Sequence, residues 1–214
     1  MSQSALRRVK QAVRPVGLPV KRLVRRVGRL RLHWVFFTGG IEGIQAELRL
    51  YHKEHARILR DYGADVAEDA IVVGPVSLIN SVTGDFSNLT IGSGVHIGSE
   101  VFIDLAERVT IEPGATLSMR SCVITHFDIG HGPLKQRRPR ETGPVTIRAG
   151  AYLGVGAIVL HGVTVGREAI VGAAALVRED VPEGAVVGGV PARPLRPGAD
   201  GASVSAVDPH PHQT

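Results

Sequence analysis

The fold is decided by residues 147–181, IRAGAYLGVGAIVLHGVTVGREAIVGAAALVREDV, in which one short pattern recurs six times. An aliphatic residue occupies every sixth position, and a small or β-branched residue follows four positions later. The aliphatic positions are Ile147, Leu153, Val159, Val165, Val171 and Val177, and the small or β-branched positions are Ala151, Ala157, Val163, Ala169, Ala175 and Val181. A short period with two inward-facing positions predicts a β-solenoid, because similar rungs stack and cover one another's apolar surface.

The same repeat extends toward the N-terminus with two irregularities. It begins unevenly near Ile71 and then slips by two residues, the aliphatic positions being Ile91, Ile97 and Ile103 before the slip and Ile111, Leu117 and Val123 after it. Residues 127–144 are rich in proline, glycine and cations and match no repeat. We therefore predict a mainly β domain over residues 71–196, with residues 127–144 ejected as a loop from one corner.

The N-terminal segment differs sharply in charge from the rest of the chain. Residues 1–41 hold ten basic residues and no acidic one, whereas the remainder holds 15 basic and 20 acidic residues. Aliphatic residues recur among these cations at roughly helical spacing, which predicts a basic amphipathic helical arm over residues 1–38. Two interpretations stay open: peripheral contact of residues 1–32 with an anionic membrane, or packing on the solenoid end or another subunit. We expect no nucleic acid partner, since nothing else in the chain supports one.

A second helical segment is predicted between the arm and the solenoid. Gly39 and Gly40 punctuate the chain, and apolar residues at helical spacing predict one helix from Ile41 to Tyr62, with Gly63 as its C′ residue. We expect residues 39–70 to cap the open end of the solenoid, which would otherwise expose an apolar cross-section. Residues 197–214 have the composition of a disordered tail.

Cysteine use and hydropathy indicate the compartment. The single cysteine, Cys122, excludes an intrachain disulfide framework and fits a reducing environment. No apolar run approaches the length of a membrane span, and arginines interrupt every N-terminal apolar stretch, so we do not expect a secretory signal. These observations predict a cytoplasmic protein, with the basic arm offering contact at the inner membrane surface.

Two sequence motifs resemble the hexapeptide-repeat acyltransferases, a family that includes sugar, antibiotic and serine acetyltransferases. The first is Asp180-Val181-Pro182 followed by residues 189–193, GVPAR, and the second is residues 123–126, VITH, directly before the variable loop. The resemblance covers about residues 71–196. It implies a left-handed parallel β-helix, a homotrimer with active sites between subunits, and transfer of an acyl group from acyl-CoA, usually acetyl-CoA, to a hydroxyl or amine.

Acyl transfer to a hydroxyl needs a base for the hydroxyl proton, and histidine suits that role. His126 matches the catalytic histidine of the family. If three repeats form one coil, the repeats that start at Ile103 and Val123 lie on the same face of the solenoid. Asp104 then lies beneath Ile124, which directly precedes Thr125 and His126. A carboxylate there would fix the imidazole tautomer and stabilise the imidazolium, or bind a sugar hydroxyl. Asp128 is a competing candidate for the same roles.

The resemblance also suggests positions for the two substrates. The positions that match the CoA-binding wall of the family are Tyr152, Gly154, Gly172, Ala173, Ala174 and Ala175, with Arg178 and Arg193 as phosphate partners. In the loop, His131, Arg137 and Arg138 are candidate acceptor contacts. The cationic cluster there, which includes Lys135 and Arg140, suits either acceptor phosphates or the phosphates of CoA. The predicted acceptor is a hydroxyl on a sugar, a glycan precursor or a glycosylated small molecule. Polysaccharide biosynthesis is the implied context.

Two alternative functions remain open at this stage. Zinc carbonic anhydrases of the γ class share the repeat, and His126 and His131 have the spacing of two of their ligands, with His96 as a third. The GVPAR ending and the basic loop favour acyl transfer, so we expect no metal. The other alternative is a non-catalytic, membrane-associated scaffold whose basic arm is the working part.

Overall fold

A computed structural model describes residues 27–50, 54–130 and 133–196 of the chain. Of these, residues 27–44 and the residues from Gln45 onward fall into two separate compact units. Residues 1–26 of the predicted arm, His131 and the predicted tail over residues 197–214 lie outside the described residues. None of the described helices has the length and apolar character needed to cross a membrane.

The first unit is helical. Residues 27–48 form helix α1, but Gly40 within it has a φ of +57°, a left-handed conformation that an α-helix does not contain. The helix therefore breaks at the predicted Gly39-Gly40 punctuation. A Cβ on Gly43 would lie 2.9 Å from both Val35 Cγ1 and the Val35 carbonyl oxygen, so the two halves approach closely around a residue without a side chain.

The single helix predicted from Ile41 to Tyr62 is wrong, because α1 ends at residue 48 and a short helix α2 spans His55–Asp61. The buried imidazole of His55 stabilises the break between α1 and α2. Its Nε2 lies 3.1 Å from the carbonyl oxygens of both Leu48 and Leu50, so these carbonyls have a hydrogen-bond partner without a helix. Gly63 follows the α2 C-cap with a φ of +104°, as its predicted C′ role requires. Helix α2 then packs against the first coil of the solenoid.

Beyond α2, the second unit is a parallel β-helix of five complete coils, each contributing one short strand to each of three sheets, and residues 181–188 begin a sixth coil. The first three coils comprise β1 (Asp65–Val66), β2 (Ile71–Val72), β3 (Val76–Ile79), β4 (Leu89–Ile91), β5 (His96–Ile97), β6 (Val101–Asp104), β7 (Val109–Ile111), β8 (Thr116–Leu117) and β9 (Cys122–Val123). An antiparallel ribbon of β10 (His126–Phe127) and β11 (Glu141–Thr142) follows, with a 3₁₀ turn, Pro133–Gln136, between them. The last strands are β12 (Val145–Ile147), β13 (Tyr152–Leu153), β14 (Ile158–Val159), β15 (Thr164–Val165), β16 (Ile170–Val171), β17 (Leu176–Val177), β18 (Val186–Gly188) and β19 (Arg193–Arg196).

The three sheets stack the coils in the register that the repeat predicted. Sheet A has the order β1-β4-β7-β12-β15, sheet B the order β2-β5-β8-β13-β16-β18-β19, and sheet C the order β3-β6-β9-β14-β17. The first coil starts at Asp65, six residues before the predicted domain boundary at Ile71, because β1 already pairs with β4. The aliphatic repeat positions point inward and are almost fully buried, as are the small residues at Ala151, Ala157 and Ala169.

Only one corner of the triangular coil varies in length. The aliphatic positions on sheets A and B are always six residues apart, as are those on sheets B and C. From sheet C to the next sheet A strand the spacing changes from coil to coil: Leu78 to Ile91, Ile103 to Ile111, and Val123 to Ile147. The loop of residues 127–144 therefore leaves the solenoid at the corner where sheet C passes into sheet A, which we call the C–A corner.

Candidate active site

Three polar residues lie on successive coils at the C–A corner. Asn80 directly follows β3, Asp104 ends β6, and His126 comes three residues after β9. Ile103 pairs with Val123 across the two-residue slip, so the predicted position of Asp104 beside the histidine segment is confirmed. The sequence reasoning did not identify Asn80, although its place directly after a sheet C strand was readable from the repeat.

The imidazole of His126 is hydrogen-bonded to the carboxylate of Asp104. His126 Nδ1 lies 2.5 Å from Asp104 Oδ2. Asp104 is buried, whereas 24% of the His126 side chain is exposed. Because an ionised carboxylate can only accept hydrogen bonds, Nδ1 carries the proton and donates it. In this tautomer the lone pair of the ring is on Nε2, the nitrogen that does not contact Asp104.

Four further donors fix the Asp104 carboxylate. Oδ2 accepts from the backbone N–H of Thr125 at 2.9 Å and from the Thr125 hydroxyl at 2.8 Å. Oδ1 accepts from Asn80 Nδ2 at 2.9 Å and from the Ala106 N–H at 3.3 Å. Burial raises the pKa of Asp104, but the hydrogen bonds from His126, Asn80 and Thr125 together outweigh it and hold the pKa below its usual value. The carboxylate is therefore ionised at neutral pH.

Asp128, the competing candidate, does not approach the imidazole in this way. Its Oδ1 accepts from the Gly130 N–H at 2.8 Å, which closes a local turn on the exposed loop. The structure thus places Asp104, and not Asp128, against His126.

The ribbon β10–β11 holds His126 at the base of the loop. His126 pairs with Thr142, and the Gly143 N–H donates to the Thr125 carbonyl at 2.9 Å. A Cβ on Gly143 would lie 2.7 Å from the Gly162 nitrogen, so the ribbon sits directly on the next coil. The loop above it carries an exposed cationic cluster, Lys135, Arg137, Arg138 and Arg140. His161 lies beside the ribbon, with its Nε2 3.9 Å from Glu141 Oε2.

Most of the residues predicted to contact CoA lie away from the C–A corner. Tyr152 is on the outer face of sheet B, with its hydroxyl 2.9 Å from Ser118 Oγ, and Gly154 and residues 172–174 form the turns between sheets B and C. Arg178 and Arg193 are exposed. Only Arg178, which directly follows β17, lies at the C–A corner, two coils along from His126; a single chain does not bring the other members of this set there.

The structure corrects one member of that set. The side chain of Ala175 points into the core and is fully buried. Its N–H donates to the Gly172 carbonyl at 3.3 Å, and its own carbonyl accepts from the Ile158 N–H at 2.8 Å. Ala175 therefore serves the coil and offers neither a side chain nor a free amide to a ligand.

The zinc alternative is not supported by the positions of the histidines. His96 is on sheet B, whereas His126 is at the C–A corner and uses Nδ1 for Asp104. Within residues 27–50, 54–130 and 133–196, no group of three or more His, Cys, Asp or Glu is arranged to hold a metal ion. His131, the remaining predicted ligand, lies outside the described residues.

Comparisons with known proteins agree with this architecture. No protein-family model matches the chain. The galactoside O-acetyltransferase of Escherichia coli K12 is 26% identical over 151 residues, which are 65% of this chain and 66% of that protein. A 2,3,4,5-tetrahydropyridine-2,6-dicarboxylate N-acetyltransferase of Staphylococcus aureus is 47% identical over 58 residues, 27% of this chain and 24% of that protein. The chain thus spans just under two thirds of the first relative and about a quarter of the second.

Solved structures show the same fold. A hexapeptide-repeat-containing acetyltransferase of Vibrio cholerae, crystallised with acetyl coenzyme A, matches with a TM-score of 0.61 and 24% identity over 73% of this chain and 84% of that one. At this identity the likeness shows the fold alone, and it confirms the left-handed winding that the sequence resemblance implied. The chain is therefore a left-handed β-helix protein of the hexapeptide-repeat type, and the relatives it resembles in sequence are acetyltransferases.

Proposed function

We propose that this protein is an acyl-CoA-dependent O-acyltransferase that moves an acetyl or other short acyl group to a hydroxyl of a sugar, glycan precursor or glycosylated small molecule. The observation that carries the proposal is the Asp104–His126 pair, in which a buried ionised carboxylate holds the Nδ1–H of a partly exposed imidazole. Such a pair presents Nε2 as a base and stabilises the imidazolium once that base has taken a proton.

The proposed reaction uses this pair directly. The acceptor oxygen attacks the thioester carbonyl carbon while its proton passes to His126 Nε2. The tetrahedral oxyanion then collapses, the carbon–sulfur bond breaks, and the leaving sulfur takes the proton back from the imidazolium. The products are the acyl ester and CoA with a free thiol. Asp104 stays ionised throughout, because its four other hydrogen bonds hold the negative charge in place.

A second copy of the chain completes the proposed site. His126 lies at the C–A corner, whereas Gly154 and residues 172–174 lie at the corner between sheets B and C. A thioester held along the second corner reaches His126 only if another subunit supplies that corner, which supports the homotrimer implied by the resemblance. In this arrangement Tyr152 and Arg193 act from a neighbouring subunit, whereas Arg178 lies at the C–A corner of the chain that supplies His126.

The loop is the proposed acceptor side of the site. It begins at the ribbon that holds His126, and the cluster of Lys135, Arg137, Arg138 and Arg140 is exposed with no acidic residue from 133 to 140. Such a cluster suits an acceptor that carries phosphate, since arginine pairs with phosphate through two parallel hydrogen bonds. The name of the E. coli relative, a galactoside O-acetyltransferase, supports a sugar hydroxyl as the receiving group.

The test is a screen of sugars, sugar phosphates and glycosylated small molecules with acetyl-CoA, in which the released CoA thiol is measured. We expect turnover with at least one acceptor and a fall of about 10²–10⁴-fold in kcat for His126→Ala. His161→Ala is the matched control, because His161 is at the same corner one coil away, and it should retain most activity. An unchanged rate in His126→Ala, or no binding of acetyl-CoA, would instead favour the scaffold alternative.

A further inference from the structure

Helix α1 carries a row of apolar side chains that face solvent. Val27, Leu30, Trp34 and Phe37 follow one another at intervals of three, four and three residues, so they lie along one face of the helix. Their exposed fractions are 57%, 65%, 68% and 83%. We call this row the α1 stripe.

The α1 stripe is a defined surface rather than a set of scattered residues. The rings of Trp34 and Phe37 meet edge to face, with centroids 6.0 Å apart and an interplanar angle of 83°. Together with Leu30, His33 and Phe36 they line a shallow groove. Leu32, by contrast, is buried, so α1 buries a different face and its α1 stripe stays exposed. A contiguous exposed apolar surface of this kind marks an interaction site.

The charge around the stripe selects its partner. Residues 1–41 carry ten basic and no acidic side chains, and the remaining residues carry five more acidic than basic ones. Arg29 and Arg31 are exposed on the helix itself. Two copies of so basic a segment would repel each other across a shared apolar face, whereas an anionic surface attracts both.

We propose that the α1 stripe inserts into the interfacial region of an anionic lipid bilayer and holds the protein at the membrane surface. Tryptophan and phenylalanine are the side chains that prefer this depth, and flanking arginines remain among the lipid headgroups. Each basic residue near such a surface strengthens binding roughly fivefold at physiological salt. The inference is independent of the proposed acyl transfer, since no residue of the Asp104–His126 site takes part.

The sequence supplies its own probe, because Trp34 is the only tryptophan of the chain. The full-length protein is mixed with vesicles of phosphatidylglycerol and phosphatidylcholine, and with vesicles of phosphatidylcholine alone. We expect the Trp34 emission to shift to shorter wavelength only with the anionic vesicles. Lipids brominated on their acyl chains should quench it, and high salt should weaken the effect.

Matched variants separate insertion from general effects. Phe37→Ser should lower the vesicle partition coefficient roughly tenfold or more, because it removes the most exposed apolar side chain of the stripe. Val190→Ser, at a residue 72% exposed on the solenoid, should leave partitioning unchanged, with the circular dichroism of both variants compared to the parent. An unshifted Trp34 emission with anionic vesicles overturns the proposal. So does a blue shift that appears without lipid as protein concentration rises, because a second copy would then occupy the stripe.

Discussion

Replacing Asp104 with asparagine tests the proposed site most directly, because the structure predicts which hydrogen bonds survive. The new amide group can take the place of Oδ1, where it meets Asn80 and the Ala106 N–H. Asn80 can then turn its own amide and accept a hydrogen bond, so only the 3.3 Å contact from Ala106 loses its partner. The carbonyl oxygen left at the Oδ2 position still accepts from Thr125 and from His126 Nδ1.

The substitution therefore removes the charge while it keeps the geometry. Hydrogen bonds to an ionised group are roughly twice as strong as neutral ones, so we expect a loss of about 1–3 kcal/mol in the free energy of unfolding. The imidazolium that forms during proton transfer loses its counter-charge. We expect kcat to fall about 10²–10³-fold, or roughly 3–4 kcal/mol in activation free energy, with little change in KM for acyl-CoA.

The assay is thiol release on the acceptor found in the screen, run for the wild type, Asp104→Asn and Asp128→Asn. The last variant makes the same chemical change on the exposed loop and should stay within about threefold of the wild type. A double-mutant cycle between Asp104→Asn and Asn80→Ala should show coupling of at least about 0.5 kcal/mol, since the amide turn requires both residues. A folded Asp104→Asn protein with wild-type kcat would refute the role of the pair.

The pH dependence of stability follows from the same pair. Burial raises the pKa of Asp104, but its hydrogen bonds lower the pKa by a larger amount. The folded pKa therefore lies below the unfolded value of about 3.9. The stabilisation is therefore present above that value and is lost as the pH falls through the folded pKa. The difference in unfolding free energy between the wild type and Asp104→Asn should narrow below about pH 4.

Two other predictions concern the solenoid. In Gly154→Ala the new Cβ would lie 2.6 Å from the Ala173 nitrogen, so the free energy of unfolding should fall by about 1–3 kcal/mol. The Tm should fall by roughly 2–4 °C for each kcal/mol. In the control Gly172→Ala the nearest atom is 3.3 Å from the new Cβ, and the loss of unfolding free energy should be less than half as large. Equal Tm values would show that the coils are not packed as closely as these distances indicate. Burial raises the pKa of the Cys122 thiol, so a thiol-alkylating reagent at pH 8 should react with the native protein more slowly than with the unfolded chain; equal rates would contradict the half-buried position.

The sequence predicted the features that depend on the repeat, namely the inward-facing positions and the pairing between coils. The spacing of residues such as Ile103 and Val123 identifies the inward face. With three repeats to a coil, which the family resemblance implied, the two residues pair across the slip and Asp104 falls beneath Ile124, beside the histidine segment. Ala175 shows the limit of this reasoning. A small residue suits both a ligand-binding surface and a tight inner corner, and only the folded structure shows that the backbone groups of Ala175 are already hydrogen-bonded inside the coil.

Non-periodic features were predicted less well because they depend on tertiary contacts. Apolar residues at helical spacing continue from Ile41 to Tyr62, yet the buried His55 ring takes the carbonyls of residues 48 and 50 and ends the helix. Asn80 was missed for a related reason. Its role depends on a hydrogen bond to a residue 24 positions away, and no local pattern distinguishes it from an ordinary turn asparagine.

The variable C–A corner explains how this solenoid carries a site without loss of its core. Two corners keep a constant six-residue spacing, so the buried aliphatic columns on all three sheets remain in register. Every extra residue in the first three coils is added at the third corner, and Asn80, Asp104 and His126 each lie at the start of such an insertion. The inserted turns do not take part in the hydrogen bonding between strands. Their first residues can therefore form hydrogen bonds with one another rather than with the next strand. The strands that precede them are fixed by parallel pairing on sheet C, and His126 is also held by its pairing with Thr142. The Asp104–His126 geometry therefore depends on the coils and on the ribbon at the base of the loop, and not on the residues between β10 and β11. Shortening the loop between β10 and β11, with the ribbon kept, should therefore alter acceptor binding while it leaves this pair intact.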